Sequence, residues 1–379
     1  MAAGDSHHGP DLPARLAGKR VIVTVGAGGV GKTTTSAAIA LGLAMEGAKV
    51  AVVTIDPARR LASALGLDEL SGEPHRIEDS RLRAQGLKAK GELWAMMLDT
   101  KATFDSVVES LAPDEDSRRE ILANPVYGEL STAIAGSQEL SAVAKLYELY
   151  EEHEFDVIVL DTPPSRNALD FLEAPGRLLG FLEGRALQVF LAPGGLTAKL
   201  FGRGTALVFT IFARVTGVDM FAELSTFFRS LSGVLDGFGA RTRAVQDLLR
   251  SEQAAFVIVT SPEPEPVREA RFLAERLADL GPRNRPAPQL VVNRVHTHGL
   301  GGSSAEELSA QLAPALGEEL ARRVAHNLED VDVLVRRDRE TVAELSELLD
   351  GRRPVLVGHL DEEVQDLLGL SRIAEQLGL

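Results

Sequence analysis

Cysteine is absent from all 379 residues. Without a thiol the chain can form no disulfide, and no site for thiolate-held zinc, an iron–sulfur cluster or thiol-bound arsenite. Aromatic residues are sparse at 5 %, with one Trp and three Tyr, and there are only five Met, which argues against a methionine-rich adaptable groove. Long apolar runs are missing as well. Uncharged runs such as Thr205 to Ala213, between Arg203 and Arg214, fall short of the roughly 20 residues that span a bilayer, so no stable membrane insertion is expected. Positive charge is in the minority, 40 basic against 55 acidic residues for a net −15, which disfavours general affinity for nucleic acid or anionic membranes. The first eighteen residues lack an apolar core and read as a flexible lead rather than a signal peptide, and a cytoplasmic location is expected.

What is present is a chain 45 % hydrophobic and 25 % charged, enough for one large core or two smaller ones. It is organised around Val21 to Ala40, VIVTVGAGGVGKTTTSAAIA. A β-branched apolar run enters a glycine-rich turn, and an Ala-rich stretch of good helix propensity leaves it. The turn from Gly26 to Thr33 has the P-loop (Walker A) spacing G-x-x-x-x-G-K-[ST]. In that motif backbone N–H groups and the helix N-terminus surround phosphates, the lysine reaches the β and γ oxygens, and the hydroxyl holds Mg²⁺. Gly28, Gly29, Val30, Gly31, Lys32, Thr33 and Thr34 are thus the expected phosphate contacts, with ATP and Mg²⁺ as cofactors. The same letters satisfy the dinucleotide pattern G-x-G-x-x-G at Gly26, Gly28 and Gly31, but such a site has no use for a cation and a hydroxyl right after its third glycine.

Further strands are expected at Lys49 to Ile55, Glu92 to Leu98, Phe155 to Leu160, Ala255 to Thr260, Gln289 to Asn293 and Val355 to Gly358, separated by helical patterns. This alternation predicts an α/β fold with a doubly wound, mostly parallel sheet. An ATPase domain over 19–379 would carry a helical subdomain built from insertions 102–151 and 172–250. Ten of fourteen Phe lie between Phe171 and Phe238, and Leu224, Phe228, Leu231, Leu235 and Phe238 recur at helical spacing. Either the core of a helical subdomain or an apolar groove for a client helix accounts for them. An acidic terminal helix is expected from Asp361, and His296 and His298 fall in a Gly-rich loop where solvation is the simpler expectation.

Two carboxylates complete the picture. Asp161 closes the apolar run Val157 to Leu160, the place where a Walker B aspartate meets the Mg²⁺ shell, so the metal is expected between Thr33 and Asp161. Asp56 ends what reads as the neighbouring strand, where it could orient or deprotonate the attacking water, although Asp-Pro is equally a helix start. Lys32 and Asp56 are the expected catalytic residues.

The segments GAGGVGKTTTSAAIA, TIDPARRLASALG and DTPPSRNALDFLEAP, in this order, resemble the ArsA-type ATPases, and the resemblance extends over roughly residues 20 to 375. That family includes the arsenite-pump ATPase, the factor that targets tail-anchored proteins and a bacterial anion-transporting branch. The resemblance implies a nucleotide-sandwich dimer with Asp56 in switch I and Asp161 to Asn167 as switch II. It implies that Asn293 contacts adenine, with Gly358, His359 and Leu360 as a second adenine wall. It also marks two departures. Ala27 occupies the position of a lysine that reaches across the family's dimer, which leaves Arg59, Arg60, Arg166 or a lysine-bearing paralogue to supply that charge, and the cysteine pair that holds zinc between subunits is missing. The reading that follows is a nucleotide-gated switch, a homodimer or a heterodimer with a paralogue, that exposes an apolar surface to a hydrophobic client or membrane protein. The energising subunit of an anion or arsenite transporter is the alternative, and a positioning ATPase of the partitioning type comes third.

Overall fold

The computed structural model describes residues 12–56, 58–125, 127–128, 137–151, 155–163, 218–280, 288–297, 299–300, 302–347, 353–360 and 364–379, of which 137 and 218–229 by their backbone alone. In chain order the helices are α1 (Leu12–Leu16), α2 (Lys32–Glu46), α3 (Arg60–Ala64), α4 (Asp79–Ala84), α5 (Thr100–Leu111), α6 (Glu115–Ala123), α7 (Ser137–Glu151), α8 (Val218–Arg250), α9 (Pro264–Leu280), α10 (Ala305–Leu316), α11 (Glu318–Glu347) and α12 (Leu367–Leu377). The strands are β1 (Val21–Val25), β2 (Lys49–Thr54), β3 (His75–Arg76), β4 (Glu92–Met97), β5 (Val157–Asp161), β6 (Ala254–Thr260), β7 (Gln289–Val295) and β8 (Val355–Gly358).

The chain divides into two compact units, one of residues 1–97, 155–169 and 250–379, the other of 98–154 and 170–249. The first carries an eight-stranded sheet in the order β3-β4-β2-β5-β1-β6-β7-β8. Every described pairing is parallel except that of the short edge strand β3 with β4. Central strands of a covered parallel sheet need apolar residues on both faces, and β1 and β5 are buried at every position. The small residues of α2 let it lie close to the sheet, burying Ala37, Ala38, Ile39, Ala40, Leu41 and Ala44, and α12 packs on its other side through Leu370, Ile373 and Ala374.

Three expectations are corrected. The strand that leads to Asp56, β2, is not beside the P-loop strand, because the crossover from β1 to β2 skips a place that β5 fills, with Thr24 paired to Asp161 and Asp161 to Thr54. The expected lead is not wholly flexible: Leu12 and Leu16, one helical turn apart, are buried in the main core, and Arg15 donates a hydrogen bond to Gln289. The terminal helix is not the acidic stretch. It begins only after Asp366, whose side chain caps it by accepting from the Gly369 N–H at 2.7 Å, and it carries one glutamate and one arginine.

In the second unit the described core joins Val107, Val108, Ile121, Ala144, Leu231, Val234 and Phe238 from four helices. Phe104 and Phe238 meet edge to face at 6.2 Å. Asp99 and Asp114 cap α5 and α6 by accepting from the Ala102 and Ser117 N–H groups at 2.9 and 2.7 Å. Of the Phe-rich stretch, Leu231 and Phe238 therefore belong to internal packing. Phe171 through Phe212 lie outside the described residues.

Candidate functional site

The turn after β1 is shaped by close approaches. A Cβ on Gly26 would lie 2.0 Å from the Val259 carbonyl oxygen of β6, and one on Gly31, at φ 94°, would lie 2.3 Å from the Asn293 amide nitrogen. Gly31 is the N-cap of α2, and no side chain caps that end. The first N–H groups of the helix are consequently available to an anion.

Gly29, Gly31, Lys32, Thr33, Thr34, Asp56 and Asn293 all line one open cavity of about 800 Å³ at the C-terminal ends of the strands. The structure brings most of the expected site together there. Val30 instead packs into the core, 1 % exposed, and presents its carbonyl to the Asn293 amide at 2.9 Å. Gly28 is exposed but does not line the cavity. Ala27, the position of the missing family lysine, is 6 % exposed and sits in the main apolar cluster.

Asp161 lies beneath the cavity floor, fully buried. Its Oδ2 accepts hydrogen bonds from the hydroxyls of Thr33 at 2.7 Å and Thr54 at 2.9 Å, and Oδ1 faces the Ser36 hydroxyl at 3.5 Å. Burial pushes its carboxyl up to about 6, resisted by those hydroxyls and by the Lys32 charge. Lys32 is buried too, with Nζ donating to the Ala27 carbonyl at 2.7 Å. Burial lowers its pKa, and the charges of Asp161, Glu269 and Asp56 oppose that shift. A buried carboxylate only partly compensated, with a threonine hydroxyl beside it, is an all-oxygen donor set that suits a hard cation such as Mg²⁺. No group of three His, Cys, Asp or Glu placed to hold a metal ion is found among the described residues.

Asp56 does two things. Its Oδ1 accepts from the Ala58 N–H at 2.9 Å, which closes the turn ahead of α3, and its Oδ2 lies 3.6 Å from an Arg60 guanidinium nitrogen. Its own N–H reaches the Thr54 hydroxyl at 3.3 Å, so Thr54 links the Asp56 turn to Asp161. Thr54 was not among the expected residues. A threonine closing a β-branched strand looks like any other, and only the skipped crossover sets it against Asp161.

Asn293 lines the cavity, and its amide is already engaged: Nδ2 donates to the Val30 carbonyl and Oδ1 accepts from the Arg294 N–H, both at 2.9 Å. His296 is not simply solvated. Its ring Nδ1 lies 2.8 Å from Asp338, a fully buried residue of α11, while His298 falls outside the described residues. Arg59, Arg60, Arg294 and His359 also line the cavity. Arg59 is exposed and paired with Glu69 at 3.3 Å, and Arg166 lies outside the described residues. No helix among the described residues is long and apolar enough to cross a membrane.

A family model described as "Anion-transporting ATPase" matches residues 19–299. Among curated proteins the chain is similar to the "ATPase GET3" of Malassezia globosa, 29 % identical over 226 residues, or 58 % of this chain and 59 % of the relative. It is similar to the "ATPase ASNA1 homolog" of Cryptosporidium parvum, 27 % identical over 275 residues, or 71 % of this chain and 63 % of the relative. A Halobacterium salinarum protein, provisionally named for driving an arsenical pump, is 29 % identical over 174 residues, or 46 % of this chain and 26 % of the relative. The chain thus spans less than two thirds of the length of each of these three relatives.

Proposed function

The chain belongs to the anion-transporting ATPase family, and from that premise we propose that it is a Mg²⁺-dependent ATPase whose nucleotide state gates an apolar surface. The observation that carries the reading is the Thr33–Asp161 hydrogen bond at 2.7 Å beside buried Lys32, at the uncapped start of α2. A phosphate chain seated there would meet backbone N–H groups from Gly28 to Thr34, the helix dipole and one ammonium. Thr33 and Asp161 are the residues that would hold Mg²⁺, which when bound would supply charge neutralisation to the phosphates. Lys32 would leave the Ala27 carbonyl for the phosphates. Asp56 would orient the attacking water and take its proton, with Thr54 fixing the turn that carries it. Asn293 would present its remaining N–H toward the base.

Arg60 would substitute for the missing cross-dimer lysine, because its pairing with Asp56 already puts a cation at the cavity edge. As a proposal the working form is a cytoplasmic dimer, with itself or a paralogue, held by contacts other than zinc. The names of the GET3 and ASNA1 relatives support ATPase chemistry, and the Phe-rich stretch supports an apolar client such as a membrane-protein helix. The family description and the archaeal relative's name favour a second reading, the energising subunit of an anion pump.

The test is phosphate release and nucleotide binding by the purified full chain. Lys32→Ala is expected to weaken ATP affinity roughly tenfold to 150-fold, the worth of about 1.5–3 kcal/mol for hydrogen bonds to a charged group. Unchanged affinity and turnover would remove the phosphate-grip assignment. Crosslinking and mass spectrometry separate the readings of the client: bound transmembrane segments support targeting, and a co-purifying permease supports transport.

A further inference from the structure

Asp338 is a carboxylate for which neither the fold nor the phosphate site has an evident use. It lies within the thirty-residue helix α11 and is 0 % exposed. Removing a carboxylate from water costs several kcal/mol unless partners replace its hydration. Here they do, on both oxygens. Oδ2 accepts from the His296 main-chain N–H at 2.9 Å and lies 2.8 Å from His296 Nδ1, while Oδ1 accepts from Nε and Nη2 of Arg337 at 3.1 and 2.8 Å. Burial pushes the carboxyl up, but these hydrogen bonds together with the Arg337 charge outweigh it and hold the group below its ordinary range. An ionised carboxylate can only accept, so Nδ1 carries the imidazole proton.

The His296 ring held in this way is stacked on the ring of His359, with centroids 5.4 Å apart and planes 19° from parallel. His359 follows β8, is tied by its N–H to the Val295 carbonyl at 2.9 Å, and lines the nucleotide cavity with Asn293 and Leu360. The His359 ring therefore has the His296 ring beside it, and His359 is among the residues that line the cavity. The backbone is bent to achieve this. Arg294 sits at φ 60°, the one non-glycine residue with positive φ among the described residues, between Asn293 and the segment that carries His296. A left-handed arginine costs free energy that the surrounding structure must offset, and such residues gather at ligand sites.

We infer that Asp338 is a positioning residue for base recognition: through His296 it holds the His359 ring as a flat wall on which a planar heteroaromatic base stacks. The inference rests on the nucleotide pocket proposed above, and it adds Asp338 and His296, which the family resemblance did not bring forward. It also makes α11, far along the chain from the P-loop, a support for the base end of the cavity.

The test compares two ligands on the full chain by calorimetry in Mg²⁺ buffer: ADP, which has a base, and pyrophosphate, which has none. Asp338→Asn and His296→Phe are each expected to weaken ADP about threefold to tenfold, the range of an aromatic stacking contact, and to leave pyrophosphate unchanged. His359→Ala, at an exposed position, should do the same, and adding Asp338→Asn to it should cost nothing more, because the two residues act in series. Equal losses for ADP and pyrophosphate, additive losses in the double variant, or ADP binding indifferent to His359→Ala would each overturn the assignment. If Asp338→Asn fails to fold, His296→Phe, which keeps a stackable ring and loses only the tie, carries the same expectation and the same refutation. A wild-type chain that binds neither ligand would overturn the pocket reading itself and this inference with it.

Discussion

At Asp56 a single side chain serves a turn and, as proposed, a reaction. Replacing it with Asn keeps an oxygen for the Ala58 N–H and so preserves the turn, but removes the base. Asp56→Asn is therefore expected to bind ATP with wild-type affinity and to hydrolyse it about 10²- to 10⁴-fold more slowly in single-turnover assays. Normal hydrolysis would leave Asp56 with the turn alone. Asp161 makes a different prediction, about pH. Its carboxyl is pushed from 3.8 up to about 6 by burial, so between those values the folded chain retains a proton that the unfolded chain has released. Stability without nucleotide should then fall as pH rises through that window, and the penalty above it is about 3 kcal/mol at 1.36 kcal/mol per unit. Asp161→Asn keeps the shape and removes the charge. In urea melts at pH 4 to 7 it should flatten this fall and exceed wild-type stability at pH 7, and identical pH profiles for the two proteins would refute the account.

Among the elements, α2 and α8 illustrate two ways of using apolar residues. The small side chains of α2 let it pass between the sheet and α12, where a Cβ on Gly42 would come within 2.5 Å of Leu379. The larger side chains of α8 are needed where helices meet helices, and Phe238 is 5 % exposed against Phe104. Phe238→Ala should cost about 3–5 kcal/mol, the usual toll for emptying an aromatic core position. Since Phe238 belongs to the second compact unit and the cavity proposed for the nucleotide to the first, ADP affinity below the melting transition should stay unchanged. A parallel loss of ADP affinity would show the two units to be more tightly coupled than this.

For the whole molecule the proposed gating is the property to measure. Hydrogen exchange and apolar-dye binding with ADP and with a non-hydrolysable ATP analogue should differ in part of residues 171–238, with the dye bound more strongly in one state. Identical protection and dye binding in both states would remove the gated surface and leave an ATPase of another purpose. Leu231 and Phe238, already committed to internal packing, should remain protected in both.

The P-loop, the parallel α/β alternation and the carboxylate at the end of β5 were legible in the sequence because each depends on neighbours along the chain. Glycine at fixed offsets, a lysine and a hydroxyl one residue apart, and β-branched runs closed by Asp carry their meaning locally. The order of the strands did not, since a crossover helix has the same sequence signature whether it passes to the adjacent strand or skips one. For the same reason Thr54 looked ordinary until β5 came between β1 and β2 and set its hydroxyl 2.9 Å from Asp161. Asp338 was hidden most completely. In the run VRRDRE it reads as one charge on a solvated helix, and its partner His296 is forty-two positions away. Only packing decides that this carboxylate, among so many acids, is withdrawn from water and must find its hydrogen bonds inside the protein.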